Sequence, residues 1–139
     1  MVTEVPTAAV ETGLDVAEIH LRQALAKNLN QIEVGLTPFF EERVEEYPVP
    51  NGRIDLLCKD QEGVPVVVEL KRHQWDTHKS VGQIAGYMGW AKQTLAGGGL
   101  VRGILLVLDQ GDIAARIEAA VPAVPGLEVR RYSISISIR

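Results

Sequence analysis

The chain has 139 residues, 14 Lys plus Arg against 18 Asp plus Glu, and a formal charge of -4; 46% hydrophobic and 23% charged residues exclude a disordered chain and suit one globular domain. Its longest apolar run, Ile104 to Leu108, is far short of the ~20 residues of a membrane helix, and its first residues, with Glu4 and no basic group ahead of an apolar core, are unlike a secretory signal. A single cysteine, Cys58, excludes an internal disulfide or a multi-cysteine zinc site and points to a reducing cytoplasm, while the acidic balance argues against a general nucleic-acid coat but allows a local basic cleft.

Residues 1–13 mix small, polar and proline residues without a period and read as a loose tail before a single domain, 14–139. Asp15 stands as an N-cap with Glu18 three residues on, and Val16, Ile19, Leu21, Leu25 and Leu29 mark one face of a helix reaching about Asn28. A short helical piece at residues 30–35 carries Glu33. Phe40–Tyr47 reads as a strand closed by Pro48 and Pro50. Two further strands, Arg53–Lys59 and Val64–Arg72, flank the turn Asp60–Gly63 and form a hairpin. Asp76 or Thr77 caps a long helix through Lys92, ended by Gly97–Gly99. Gly103–Asp109, apolar on both faces, is a buried strand; Asp112–Ala120 is a short helix. Leu127–Ile138 is a last strand, ending in the Ser/Ile alternation of residues 133–138. The order α-β-β-β-α-β-α-β predicts an α/β domain, a mixed sheet flanked by helices. A Ser/Ile strand at the sheet edge invites pairing with a second copy, so a homodimer is expected.

The hairpin carries the chemistry. With the turn centred on Glu62, Asp55 faces Glu69 and Arg53 faces Lys71, and opposed side chains on one face lie ~5 Å apart at Cβ. Two adjacent carboxylates repel unless a cation lies between them. Oxygen ligands on a strand pair favour Mg²⁺ or Mn²⁺ over zinc, and Lys71 is placed to orient or deprotonate a water and to stabilise charge on a phosphoryl group. A metal, a lysine and a water suffice for phosphodiester hydrolysis. The alternative is a solvated face on which the carboxylates pair with Arg53 and Lys71. On the following helix Gln83 and Tyr87 are i and i+4 and share a face; they suit contact with a phosphate or bracing of the lysine, or else are the polar tips of a half-buried helix. Gly82, Gly86 and Gly89 cost that helix ~1 kcal/mol each, which asks for a packing or binding reason. Trp90 is a core anchor whose exposed edge could stack a base; Trp75 covers a loop. His73 and His78, five apart, do not suit zinc on one helix face, and His20 is remote. Cys58 packs as a small apolar residue.

GRIDLLCKD, VVVELKR and VGQIAGYMGW, in that order and spacing, resemble the nuclease domain of NucS/EndoMS within the PD-(D/E)XK, restriction-endonuclease-like superfamily. The segment around Glu33 and the Glu46-Tyr47-Pro48 approach add to the likeness, which covers residues 20–109. The resemblance implies a Mg²⁺- or Mn²⁺-dependent endodeoxyribonuclease leaving a 5′-phosphate, with Asp55, Glu69 and the Leu70 carbonyl on the metal and Lys71 positioning water. It further implies that Glu33 reaches toward the metal and that Gln83 and Tyr87 complete the site. By the same resemblance Arg53 belongs to the family's Gly-Arg-Ile-Asp segment and contacts a phosphate. From chain position alone, His73 is a surface residue, or one just behind the site, that could contact phosphate, and Arg72 and Lys79 add positive charge near the site or are simply solvated. Ile54 stands where the superfamily's name has proline. The chain is expected to stand alone, without the N-terminal DNA-binding and dimerisation domain of full-length members, so mismatch or flap specificity does not carry over. DNA is the implied partner. The competing expectations are a non-catalytic nucleic-acid-binding or assembly module with this fold, or a nuclease subunit that needs a partner for DNA recognition.

Overall fold

The computed structural model describes residues 18–71, 77–108, 113–135 and 138. Helix α1 (Glu18–Ala26) leads through a 3₁₀ turn at Leu29–Gln31 to strands β1 (Thr37–Pro38), β2 (Glu45–Val49), β3 (Gly52–Lys59) and β4 (Pro65–Lys71). Then follow α2 (Thr77–Thr94), β5 (Arg102–Leu108), α3 (Ile113–Ala120) and β6 (Leu127–Tyr132). The sheet runs β1-β3-β4-β5-β6, with β2 also on β3. β1 and β2 pair antiparallel with β3, and β3 antiparallel with β4. β4–β5 and β5–β6 are parallel, each pair joined through a helix. This is the mixed sheet flanked by helices that the residue pattern predicts. No helix among the described residues is long and apolar enough to cross a membrane.

The period of two decides which helix each strand residue meets. Val66, Val68, Leu70, Ile104 and Leu106 pack with Leu21 and Leu25 of α1. Val67, Leu105 and Val107 pack with Val81, Ile84 and Met88 of α2 and Ile117 of α3. Covered on both faces, β4 and β5 are apolar between their ends except at Glu69; Lys71 closes β4 and Arg102 opens β5. Cys58 lies in the α1 cluster at 0% exposure, and burial pushes its thiol up to about 12, so it behaves as a small apolar side chain. Phe40 stacks on Tyr47 at 5.5 Å, and Tyr47 meets Trp90 at 5.8 Å; these rings fasten the β2–β3 hairpin to α2.

Three boundaries differ from the residue pattern. The expected strand at residues 40–47 forms instead at Glu45–Val49: the Arg43 amide donates to Phe40 O at 3.2 Å, turning the chain there. Pro48 lies inside the strand, tolerated because β2 pairs on one side only. Among the described residues the last strand stops at Tyr132, whose partner, Leu108, is the last residue of β5. Ile134 instead packs against the α1 cluster. The expected N-cap Asp15, the tail and Trp75 lie outside the described residues.

A charged network closes the end of the sheet where β5 begins. Arg102 donates to both oxygens of Glu33 at 2.7 Å, and to Asp60 at 3.3 Å and Glu128 at 2.8 Å. Arg130 donates to Glu33 at 2.8 Å and to the Ile32 carbonyl at 2.6 Å. The Arg102 hydrogen bond chiefly holds the Glu33 carboxyl down to about 2. A carboxyl whose folded pKa lies below its unfolded value stabilises the fold above the unfolded pKa and loses that contribution as pH falls through the folded one. Glu33→Gln is therefore expected to cost about 2 kcal/mol at neutral pH, read from urea midpoints. The difference from wild type should shrink as pH falls from 4.5 toward about 2; a pH-independent difference would show that the charge is not the cause.

Candidate active site

The β3–β4 register places the site. Leu56↔Val68, Leu57↔Val67, Cys58↔Val66 and Lys59↔Pro65 are the paired residues, so the next step brings Asp55 opposite Glu69, as the hairpin centred on Glu62 requires. Asp60 fixes that turn: its Oδ1 accepts from the amides of Glu62 at 2.9 Å and Val64 at 3.0 Å, and Gly63 takes a φ of 81°, open to glycine at little cost.

At Asp55 and Glu69 the ladder gives way to a reciprocal clasp. The Asp55 amide donates to Glu69 Oε2 at 2.7 Å, and the Leu70 amide donates to Asp55 Oδ2 at 2.8 Å. Each carboxylate thus replaces a backbone acceptor of the opposite strand. Side-chain alternation breaks here too: Ile54 and Leu57 both pack on the α2 side, whereas Leu56 packs on the α1 side. Across from the break Glu46 holds a φ of 47°, a strained value for a residue with a Cβ. Its carboxylate pairs with Arg22 at 3.4 Å and Arg53 at 3.6 Å.

Asp55, Glu69 and Lys71 line one cleft of about 340 Å³, together with Arg53, Lys79, Gln83, Ser80 and Glu18. Lys71 Nζ donates to Gln83 Oε1 at 3.0 Å, and Gln83 Nε2 donates to Tyr87 Oη at 3.3 Å. Tyr87 in turn stands against Gly52, where a Cβ would lie 2.5 Å from its hydroxyl and where φ is 148°. A side chain at 52 would push Tyr87 away, so Gly52 lets the Lys71–Gln83–Tyr87 chain form.

Glu69 is 2% exposed. Burial, and after it the charge of Asp55, pushes its carboxyl up to about 8; burial also raises Asp55, against the hydrogen bond from the Leu70 amide. Two backbone donors therefore do not compensate for taking two negative charges out of water. Each carboxylate keeps one oxygen outside the clasp, available to another partner.

The expected site residues are not all brought together. Asp55, Glu69, Lys71 and Gln83 line the cleft, with Arg53 and Lys79 on its wall, and Tyr87 is joined through Gln83. The Leu70 side chain turns into the α1 core. Arg72 and His73 lie outside the described residues. Glu33 is a correction: it sits at the opposite end of the sheet, bound by Arg102 at the first residue of β5 and by Arg130. Glu69 and Lys71 flank Leu105 and Val107, three and five strand positions further on, roughly 10–17 Å at 3.3 Å per residue. The helical carboxylate that lines the cleft is Glu18. Its spacing to Leu21, Arg22 and Leu25 puts it on the inward stripe of α1, a signal hidden by reading it only as a capping partner. Ser80, 3% exposed, is a second lining residue that no local pattern marks.

Residues 17–120 match the family described as "Endonuclease NucS C-terminal domain". The chain belongs to that family. It is 38% identical over 96 residues to Endonuclease NucS of Pyrococcus furiosus, 69% of this chain and 33% of the relative. To Endonuclease NucS of Mycolicibacterium smegmatis it is 42% identical over 65 residues, 45% of this chain and 27% of the relative. The chain thus spans about a third or less of the length of these relatives. Among solved structures it is similar to a repair endonuclease from Pyrococcus abyssi, with a TM-score of 0.65 and 29% identity, covering 87% of this chain and 49% of that one. An EndoMS–dsDNA complex matches with a TM-score of 0.65 and 25% identity, over 88% and 48%.

Two outcomes follow for this NucS domain. Without divalent cations, Glu69→Gln is expected to raise stability by about 1–2 kcal/mol at pH 8–9. Glutamine can still accept from the Asp55 amide, whereas the wild-type carboxyl, raised from 4.5 to about 8, loses stability as pH rises from the lower value to the upper one. Thermal melts in chelator measure this, and a Glu69→Gln protein less stable than wild type at that pH would contradict it. Gly52→Ala is expected to cost about 1–3 kcal/mol, and less in a Tyr87→Phe background, where the clashing oxygen is gone. Denaturant melts of the four proteins give the coupling, and additive effects would place the strain elsewhere.

Proposed function

We propose that this NucS domain is a Mg²⁺- or Mn²⁺-dependent endodeoxyribonuclease, a hydrolase of DNA phosphodiester bonds working in DNA repair or processing. The observation that carries the reading is that Asp55, Glu69 and Lys71 meet in one cleft whose wall also holds Arg53 and Lys79. Membership of an endonuclease domain family, and structural likeness to an EndoMS seen with double-stranded DNA, support DNA as the substrate.

The donor set fits a hard cation. It consists of two carboxylates whose proton affinity burial raises, and buried acids that hold a proton also favour a metal in its place. Among the described residues no group of three or more His, Cys, Asp or Glu is suited to a metal. The protein would offer Asp55, Glu69 and the Leu70 carbonyl, leaving other positions to water and phosphate oxygens. Mg²⁺ accepts that arrangement, retaining several waters, whereas structural zinc takes four protein ligands. When bound, such an ion supplies Lewis-acid charge to the phosphoryl oxygens and the attacking water. Lys71, held at 3.0 Å by Gln83, directs its ammonium group to orient that water and to stabilise charge developing on the phosphoryl group. Tyr87 fixes the Gln83 amide and so the lysine. Arg53, 65% exposed at its side chain, and Lys79 hold neighbouring phosphates, as would Arg72 and His73 beyond Lys71 in the chain.

Purified protein is expected to cut at least one of single-stranded, duplex, mismatched or branched DNA in Mg²⁺ or Mn²⁺ and none in chelator. Asp55→Ala, Glu69→Ala and Lys71→Ala should each lower the rate about 10²–10³-fold or more, with the far-UV circular dichroism spectrum retained. Wild-type protein that cuts none of these substrates with either ion would overturn the reading. DNA binding that survives chelation and never leads to cleavage would assign a binding module instead.

A further inference from the structure

A second cavity, of about 230 Å³, adjoins the cleft and differs from it in chemistry. It lies between the Val49–Asn51 turn and the side of α2 that carries Gly82, Gly86 and Trp90. Gln83 lines both cavities, and Tyr87 lines this one, so the amide that holds Lys71 is also the partition between them. The cleft is walled by Arg53, Lys71 and Lys79. Among the described residues no charged side chain lines the second cavity, only aliphatic and aromatic groups, glycine backbone and the amides of Asn51 and Gln83.

We infer that this groove receives one nucleobase of the strand being cut, that of a nucleotide next to the scissile phosphate; the inference rests on the nuclease reading above. A nucleotide is charged at one end and flat, uncharged and hydrogen-bonding at the other, and the two cavities present those environments side by side. Aromatic walls suit the face of a base, tolerant of sequence, and amide side chains suit its edge. Trp90 is only half-buried: one part meets Tyr47 in the aromatic cluster, and the residue also lines the groove. The helix glycines agree with this. A Cβ at Gly82 or Gly86 would meet nothing within 4 Å, so packing within the chain does not account for their cost to α2. Their absent side chains keep the groove open.

The test uses the full 139-residue chain with an oligonucleotide substrate whose cleavage position has been mapped, and a series in which each nucleotide flanking that position is abasic in turn. One abasic position is expected to lower kcat/KM about tenfold. Gly86→Leu and Gly82→Leu, which fill the groove with good helix formers, are expected to lower cutting of intact DNA by a similar factor while melting no lower than wild type. On the sensitive abasic substrate they should add little further loss. Intact DNA cut equally well by both leucine variants would overturn the inference and leave the nuclease reading standing, as would losses that multiply independently on the abasic substrate. A change in oligomeric state of the DNA-free Gly86→Leu protein would also overturn it, marking the groove as a protein interface. Failure of wild type to cut any DNA would remove the nuclease reading itself, and this inference with it.

Discussion

The site depends on a single exchange at the end of the β3–β4 ladder. There the Asp55 and Glu69 carboxylates take over the work of backbone carbonyls, each accepting an amide from the opposite strand at 2.7–2.8 Å. The clasp fixes the position of both acids as firmly as the backbone itself, since a side chain tied to a strand amide has little rotamer freedom left. It also commits the fold to burying two like charges next to each other, an arrangement that favours a proton or a cation over the bare pair. Local stability is given up there in return for a fixed binding geometry.

The rest of the molecule divides the load along the sheet. At the end where β5 begins, Arg102 and Arg130 gather Glu33, Asp60 and Glu128 into a network of opposite charges. At the other, acids meet acids and Lys71 is held by a neutral amide. The two α-side cores lie between, and because β4 is covered on both faces, the strand bearing Glu69 and Lys71 has little freedom to move. The strained Glu46 and the close fit of Gly52 against Tyr87 both occur on the β2–β3 hairpin beside the site, where such strain tends to gather.

Local patterns carried much of this into the sequence. The turn Asp60–Gly63 sets the hairpin register, and a register fixes which side chains oppose each other, so the facing of Asp55 and Glu69 is legible in the chain itself. The i, i+4 spacing of Gln83 and Tyr87 is equally local, and they are hydrogen-bonded as that spacing allows. What could not be read depends on distant partners. Glu33 finds Arg102 and Arg130 at separations of 69 and 97 residues, and nothing near it in the chain announces them. The Ser/Ile alternation after Tyr132 has the right period for a strand, but among the described residues the β5–β6 pairing ends at Leu108 and Tyr132. Alternation supplies a face, and only a partner supplies a strand.

The same reasoning explains why Gln83 matters more than its exposed position suggests. Its carbonyl oxygen takes the lysine and its amide nitrogen reaches the tyrosine, so the orientation of one flat group fixes both ends of the chain of contacts. Replacing it with glutamate would add a further carboxylate to a cleft that already holds Glu18, Asp55 and Glu69, while leucine would leave Lys71 without that acceptor. The amide that accepts from Lys71 carries no charge of its own, so it restrains the ammonium by geometry. A cation held in place in this way acts on a developing anion at least reorganisation cost.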